Sequence, residues 1–212
     1  MADKSILLVE GRDELHVLSQ LLEHHRVPEN FRIKNKEGID NLLKTLDVEL
    51  IAGGLQRLGV VVDADTAPAS RWQSLRSIFA QSGYLLPEQA DPLGTIVTLS
   101  GRTLVRIGVW VMPDNAAEGM LEDFVRSLVP PGDALLAFAG ECVDEVVARD
   151  RRFPEGQRSK ALIHTWLSWQ KEPGTPLGLA IKNREFDAGV AFALPLMEWL
   201  RRMFDLGVGN GP

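Results

Sequence analysis

Cysteine is almost missing from this 212-residue sequence: Cys142 stands alone, which excludes an intramolecular disulfide, and no Cys/His spacing offers a structural zinc site. The apolar neighbourhood of Cys142 predicts a buried small hydrophobe. Long apolar runs are missing too. No stretch approaches the about 18–20 residues a membrane span needs, and the opening Met-Ala-Asp-Lys-Ser lacks the basic-then-apolar profile of a secretory leader, so a cytoplasmic location without membrane contact is expected. Basic residues are not in excess: 23 Lys and Arg face 29 Asp and Glu, a formal net charge of −6. That balance argues against a general nucleic-acid coat, whose binding rests on neutralising phosphates. It leaves a nuclease open, because a carboxylate metal site is acidic until its ions bind. No Gly-x-x-x-x-Gly-Lys phosphate loop occurs, so any ATP-driven partner, such as an ATPase, is expected to be a separate protein. There is no internal repeat and no low-complexity segment.

The composition, 45% hydrophobic and 25% charged, is that of one globular domain. Ser5 to Val9 is a short apolar run stopped by Glu10-Gly11, which predicts a strand buried on both faces. Leu15, Val17, Leu18, Leu21 and Leu22 follow a helical period that Arg26-Val27-Pro28 closes. Phe31 to Lys34 predicts a second strand, Ile39 to Leu50 a second helix ending near Gly53-Gly54, and Leu58 to Asp63 a third strand. A third helix begins around Pro68 and ends at Gly83. Thr95 to Leu99 and Val105 to Val111 predict two more strands, joined as a hairpin through Ser100-Gly101-Arg102. Helices are expected over Met120 to Leu128, Ala134 to Ala148, Lys160 to Trp169 and Gly189 to Phe204, with surface loops at Phe153 to Arg158 and Glu172 to Gly178 and a frayed tail from Gly207. Alternating strands and helices with short connections predict an α/β fold: a mostly parallel sheet flanked by helices, with a helical C-terminal part. The division is a core over residues 1–130 and a helical extension over 131–212 packed on the same domain.

Two acidic elements stand at strand ends, the edge where open α/β sheets bind ligands. The first is Val9-Glu10-Gly11-Arg12-Asp13, in which Glu10 is expected to point into the cleft and Asp13 either caps the following helix or joins a metal shell. The second is Val60-Val-Val-Asp63-Ala64-Asp65. If the chain stays extended there, Asp63 and Asp65 face one side and reach one ion; alone, the same pair also fits an ordinary strand-to-helix cap. Converging carboxylates repel one another and lose solvation, so either their pKa values rise or a cation neutralises them. All-oxygen ligation favours Mg²⁺ or Mn²⁺ over zinc.

An acid followed by Gly after the first strand, then Asp-x-Asp after the third, resembles the Toprim domain of topoisomerases, primases and overcoming-lysogenisation-defect nucleases. Val-Glu-Gly-Arg-Asp is most similar to the nuclease branch. Gly108-Val-Trp-Val-Met-Pro-Asp114-Asn115 with Gly119-Met-Leu-Glu122-Asp123, and Thr-Trp-Leu-Ser-Trp followed by Pro-Gly-Thr-Pro-Leu-Gly, resemble a bacterial Toprim-like family of unknown function. The resemblance implies a Toprim/Rossmann-like sheet, Glu10 as a metal-coupled acid or base, and Asp63 and Asp65 holding Mg²⁺ against a phosphate. In the nuclease branch further acids and a late Lys complete the site; Glu122, Asp123 and Lys160 are the nearest matches, although a solvated helix face and an exposed helix start explain them equally simply. The run after Asp65 has no Gly, unlike many Toprim domains, so the loop over the metal is expected to differ.

Three functional readings follow: a Mg²⁺-dependent phosphoryl-transfer enzyme acting on nucleic acid, a non-catalytic module that binds metal or nucleotide and regulates a partner, and a small-molecule phosphatase. Arg149 to Lys160 is the candidate phosphate-facing patch, or else a solvated helix end. Trp166 and Trp169 are expected to share a helix face in the core or in a homodimer contact, His24-His25 to lie at a helix end or on the surface, and Asp114-Asn115 to act as a helix cap or to support a metal.

Overall fold

The computed structural model describes residues 4–98 and 105–206. Its five-stranded sheet runs in the order β2-β1-β3-β5-β4, where β1 is Ser5–Val9, β2 Arg32–Asn35, β3 Arg57–Asp63, β4 Thr95–Thr98 and β5 Arg106–Met112. β2, β1, β3 and β5 are parallel, and β4 is antiparallel to β5 with Thr98 opposite Arg106. The turn expected at Ser100-Gly101-Arg102 and the tail from Gly207 lie outside the described residues. The sheet is the mostly parallel α/β architecture expected, with helices on both faces.

Strand side chains alternate between two cores, as a period of two dictates. Leu7, Val9, Val61, Trp110 and Met112 face one; Ile6, Leu8, Leu58, Val60, Val62, Ile107, Val109 and Val111 face the other. The second face is covered by Ile39–Leu50 (α2) and Pro68–Gln81 (α3), through Leu42, Leu46, Trp72, Leu75 and Phe79. The first is covered by Arg12–His24 (α1), Leu121–Arg126 (α4), Arg158–Leu167 (α6), Leu177–Lys182 (α7) and Leu194–Phe204 (α8). Ala134–Asp150 (α5) lies outside α6 and buries only Ala139 and Val143.

α8 sits close against the sheet because two glycines are in register. Gly59 of β3 pairs with Gly108 of β5. A Cβ on Gly59 would stand 3.0 Å from Phe204 Cζ, and one on Gly108 2.5 Å from Met203 Sδ. Burying Met203, Phe204 and Trp199 under these bare positions ties the C-terminal helices into the same core as β1 and α1.

Several expected boundaries move. The helix expected from Gly189 begins at Leu194, after a single 3₁₀ turn at Ala191–Ala193, because Pro195 has no N–H to give and fits only the first helical turn. The Glu172 to Gly178 stretch is not loop to its end: Leu177 opens α7, a helix missing from the sequence reading, whose Leu177, Gly178, Ala180 and Ile181 are buried. Gly178 lies against α1 so tightly that a Cβ there would stand 2.9 Å from the His16 carbonyl carbon. Phe153 to Arg158 contains a 3₁₀ turn at Glu155–Gln157.

Candidate functional site

The carboxyl ends of β1 and β3 open into a cleft of about 560 Å³ lined by Glu10, Asp13, Glu14, Asp63, Asp65 and Glu122, with Arg12 and Lys160 among its cations. Glu10 follows the last residue of β1, and the turn after β2 is tied to that strand end by Lys36 N–H to Val9 O at 3.0 Å and Gly38 N–H to Glu10 O at 2.8 Å. The backbone around Glu10 is therefore held on both sides. The cleft lining holds no cysteine or histidine, and its ionisable donors are carboxylates, a set suited to a hard divalent cation.

Four of the acids are engaged. Glu10 Oε1 accepts the Asp63 N–H at 2.8 Å, and Asp63 Oδ1 accepts the Leu121 N–H at 3.0 Å, closing the first turn of α4 from across the sheet. Asp65 Oδ2 pairs with Arg71 Nη2 at 2.6 Å, while Arg71 Nε donates to the Asp63 carbonyl at 2.9 Å. Glu122, only 4% exposed, stands 3.3 Å from Lys160 Nζ. Among the described residues no group of three or more His, Cys, Asp or Glu side chains stands at the spacing of a metal centre. Glu10, Asp63, Asp65 and Glu122 share one cleft but point at N–H donors and cations, bonds that an incoming metal ion would have to exchange.

The extended-chain geometry expected for Asp63 and Asp65 does not hold. Asp65 adopts φ +53°, and its N–H and carbonyl bridge to Gly119 at 2.8 and 2.7 Å, which turns its side chain away from the line of Asp63. Asp123 is also placed differently from expectation. It is not among the residues lining the cleft; its Oδ2 accepts the Met120 N–H at 3.0 Å and its Oδ1 accepts the Ser159 hydroxyl at 2.7 Å, the work of a helix-start residue. Asp13 is half-buried at the cleft in the first turn of α1.

Glu14 and Glu37 are cleft acids that the sequence reading missed, and Glu14 is the more telling. It is buried, and with Val17, Leu18, Leu21 and Leu22 it completes the inner stripe of α1, so the 3-4-3-4 spacing carried back from Val17 is the signal that could have found it. A Cβ on Gly11 would stand 2.7 Å from Glu14 Oε2; the bare glycine leaves that carboxylate its place.

Crowding and burial perturb these groups strongly. Burial pushes Glu10 from 4.5 up to about 7, against the Asp63 N–H and the charge of Arg71, with Glu14 and Asp65 adding to the rise. Asp63 is held well above the usual carboxylate range by burial, then by the charges of Glu10, Glu14, Glu122 and Asp65. Glu14 is raised by burial and by Glu122. Burial draws Lys160 down, but Glu122, Asp13 and Glu14 outweigh it and hold its ammonium above its ordinary value. The cleft thus favours extra positive charge, proton or cation.

The Arg149 to Lys160 stretch is not a free basic patch. Arg149 pairs with Glu145, Arg151 with Glu155, Arg152 with Asp150 and Arg158 with Asp144; Lys160 is the member that reaches the cleft. Trp166 is buried and donates its indole N–H to Asp133, whereas Trp169 lies beyond the end of α6, is 37% exposed and stacks on Phe138, so the two do not share a face. Asp114 and Asn115 shape the turn after β5: Asn115 Oδ1 accepts the Val111 N–H and Asp114 Oδ1 the N–H groups of Ala116 and Ala117. His25, half-buried, hydrogen-bonds Ala188 O at 2.8 Å. Cys142 is half-buried rather than buried, because the inner line of α5 runs through Ala139 and Val143, one position away.

A family model described as a protein of unknown function (DUF3226) matches residues 4–205. Two solved structures of the C-terminal region of the Xanthomonas campestris pv. campestris OLD protein, one phased with mercury and one with iodine, are each similar at 18% identity and a TM-score of 0.44, over 95% of this chain and 96% of theirs. No curated protein matches the sequence.

Proposed function

The chain belongs to the family described as a protein of unknown function (DUF3226), which brings no activity with it, and from the cleft itself we propose that it is a Toprim-like, Mg²⁺- or Mn²⁺-dependent phosphoryl-transfer domain that hydrolyses phosphodiester bonds in nucleic acid. One observation carries the reading: Glu10, Glu14, Asp63, Asp65 and Glu122 line a single cleft at the carboxyl edge of a parallel sheet, where burial and mutual repulsion raise the carboxyls of Glu10, Glu14 and Asp63. A site that strained favours a bound cation.

Glu10, Asp63 and Asp65 would hold the ion, with Glu14 of α1 and Glu122 of α4 lining the same cleft. A divalent cation supplies positive charge that polarises a phosphate and lowers the pKa of water. The chain's own residues do the rest. Glu10 would act as a metal-coupled acid or base: burial raises its carboxyl to about 7 in the metal-free cleft, and a cation beside it would draw that value down. Lys160, held protonated and 46% exposed at its side chain, presents an ammonium to an incoming phosphate oxygen.

The second reading is a non-catalytic module that binds a cation or nucleotide and regulates a partner. It is favoured by the acids' present hydrogen bonds and by the ion pairing of the Arg149 to Arg158 cations. Calorimetric titration of Mg²⁺ and Mn²⁺ into the wild type and Asp63→Asn, with single- and double-stranded nucleic acid assayed in parallel, separates the two. Asparagine keeps an acceptor for the Leu121 N–H, so the fold is retained. Binding and metal-dependent cleavage, both lost in the variant, are expected; binding without cleavage hands the site to the second reading, and no binding by folded wild type refutes both as cation sites.

A further inference from the structure

Arg71 is half-buried beside Asp63 and Asp65 and takes no part in the roles assigned above. It rises from the first turn of α3 and leaves only 15% of its side chain exposed. Its Nε donates to the Asp63 carbonyl at 2.9 Å and its Nη2 meets Asp65 Oδ2 at 2.6 Å. Its charge also reaches Glu10. Arg71 therefore puts a fixed cation beside the strand end from which Asp63 and Asp65 emerge.

What can move there is restricted. The Asp65 backbone is clamped by its two hydrogen bonds to Gly119, and Arg71 is anchored through Nε to a main-chain oxygen. The Asp65 carboxylate, by contrast, is 49% exposed and lines the cleft. A rotation about its two side-chain torsions exchanges Arg71 for whatever positive charge enters the cleft, with no change in the fold. An Asp–Arg contact of this kind is modest in strength when half-exposed, which makes the exchange accessible.

We propose that Arg71 is the resident counter-ion of the site: it holds Asp65 on its own side while the cleft lacks a divalent cation, and a cation loads by taking Asp65 from it. The proposal rests on the cation-binding reading above and adds its regulation, because cation affinity is then set by competition with an internal guanidinium. Arg71 is a positioning residue, acting through Asp65.

The test is Mn²⁺ binding, followed by the paramagnetic resonance of the free ion, in wild type, Arg71→Gln, Arg71→Lys, Asp65→Asn and the Arg71→Gln/Asp65→Asn double variant. Removing the competitor is expected to tighten Mn²⁺ by roughly three- to fivefold in Arg71→Gln, the size of a half-exposed ion pair. Arg71→Lys, which keeps the charge, should stay near wild type and guards against a folding defect in the glutamine variant. In the Asp65→Asn background the same glutamine change should have little effect, since no carboxylate remains to be competed for. Binding that weakens or stays unchanged in Arg71→Gln makes Arg71 a scaffold and overturns the proposal, as does an equal gain in the Asp65→Asn background, which would reflect only the removal of nearby charge. Absence of Mn²⁺ binding in every folded variant sinks the cation reading itself, whereas binding that appears only in Arg71→Gln is the strongest support for competition.

Discussion

Replacing Glu10 with Gln should stabilise the protein, and only above a definite pH. The carboxyl is raised from 4.5 to about 7 by burial beside Glu14 and Asp65. At pH 4 it is protonated in both folded and unfolded chains and costs nothing. Between 4.5 and about 7 the unfolded chain releases its proton first, so stability falls as pH rises; above about 7 the folded carboxylate is ionised and the full cost, about 3 kcal/mol, is present. Gln keeps an oxygen to accept the Asp63 N–H at 2.8 Å and carries no charge at any pH. Asp63, whose carboxyl is raised partly by Glu10, is relieved as well. For a domain of this size 1 kcal/mol moves Tm by about 2–4 °C, so Glu10→Gln should melt roughly 6–12 °C above wild type at pH 8.5 and level with it at pH 4. Thermal melts across that range in EDTA give the comparison, and millimolar Mg²⁺ at pH 8.5 should raise wild type far more than the variant. A difference between the two proteins that is flat with pH would show that Glu10 is not buried among like charges and would remove the basis for a strained site.

Glu14→Gln should follow the same sign, more stable than wild type on the alkaline side and equal to it in acid, because burial and Glu122 raise the Glu14 carboxyl; urea midpoints at pH 4 and 8.5 measure it, and an acid-side gain would contradict the assignment. Gly178→Ala should destabilise by about 1–3 kcal/mol, since the new methyl meets the His16 backbone at 2.9 Å and either α1 or α7 must shift; an unchanged denaturation midpoint would mean that this helix contact is looser than the structure has it.

What could be read from the sequence divides by the range of the forces involved. β1 and α2 end where their patterns end, at Ser5–Val9 and Ile39–Leu50, because a strand buried on both faces is a continuous apolar run and a half-buried helix is a regular one. α7 was hidden because six residues give too few turns to show a period, and because its burial comes from docking on α1, about 160 residues earlier in the chain, through one glycine. The Asp63–Asp65 geometry failed for a similar reason: Asp65 leaves the extended conformation to bridge Gly119, a partner no local spacing announces.

Glu14 is a different kind of omission, since its signal was local and present. Pattern reading counts apolar residues, so an acid in an inner-stripe position is passed over as a break in the stripe. Physically it is the reverse. Val17, Leu18, Leu21 and Leu22 fix which face of α1 turns inward, and that face carries Glu14 inward with them. At the first turn of a helix that follows a parallel strand, the inward direction is the cleft at the sheet's carboxyl edge. A buried carboxylate there must be protonated, paired or bound to a cation; an acid on the inner stripe just after a strand ending in Glu-Gly therefore marks a charged cleft before any coordinates are known.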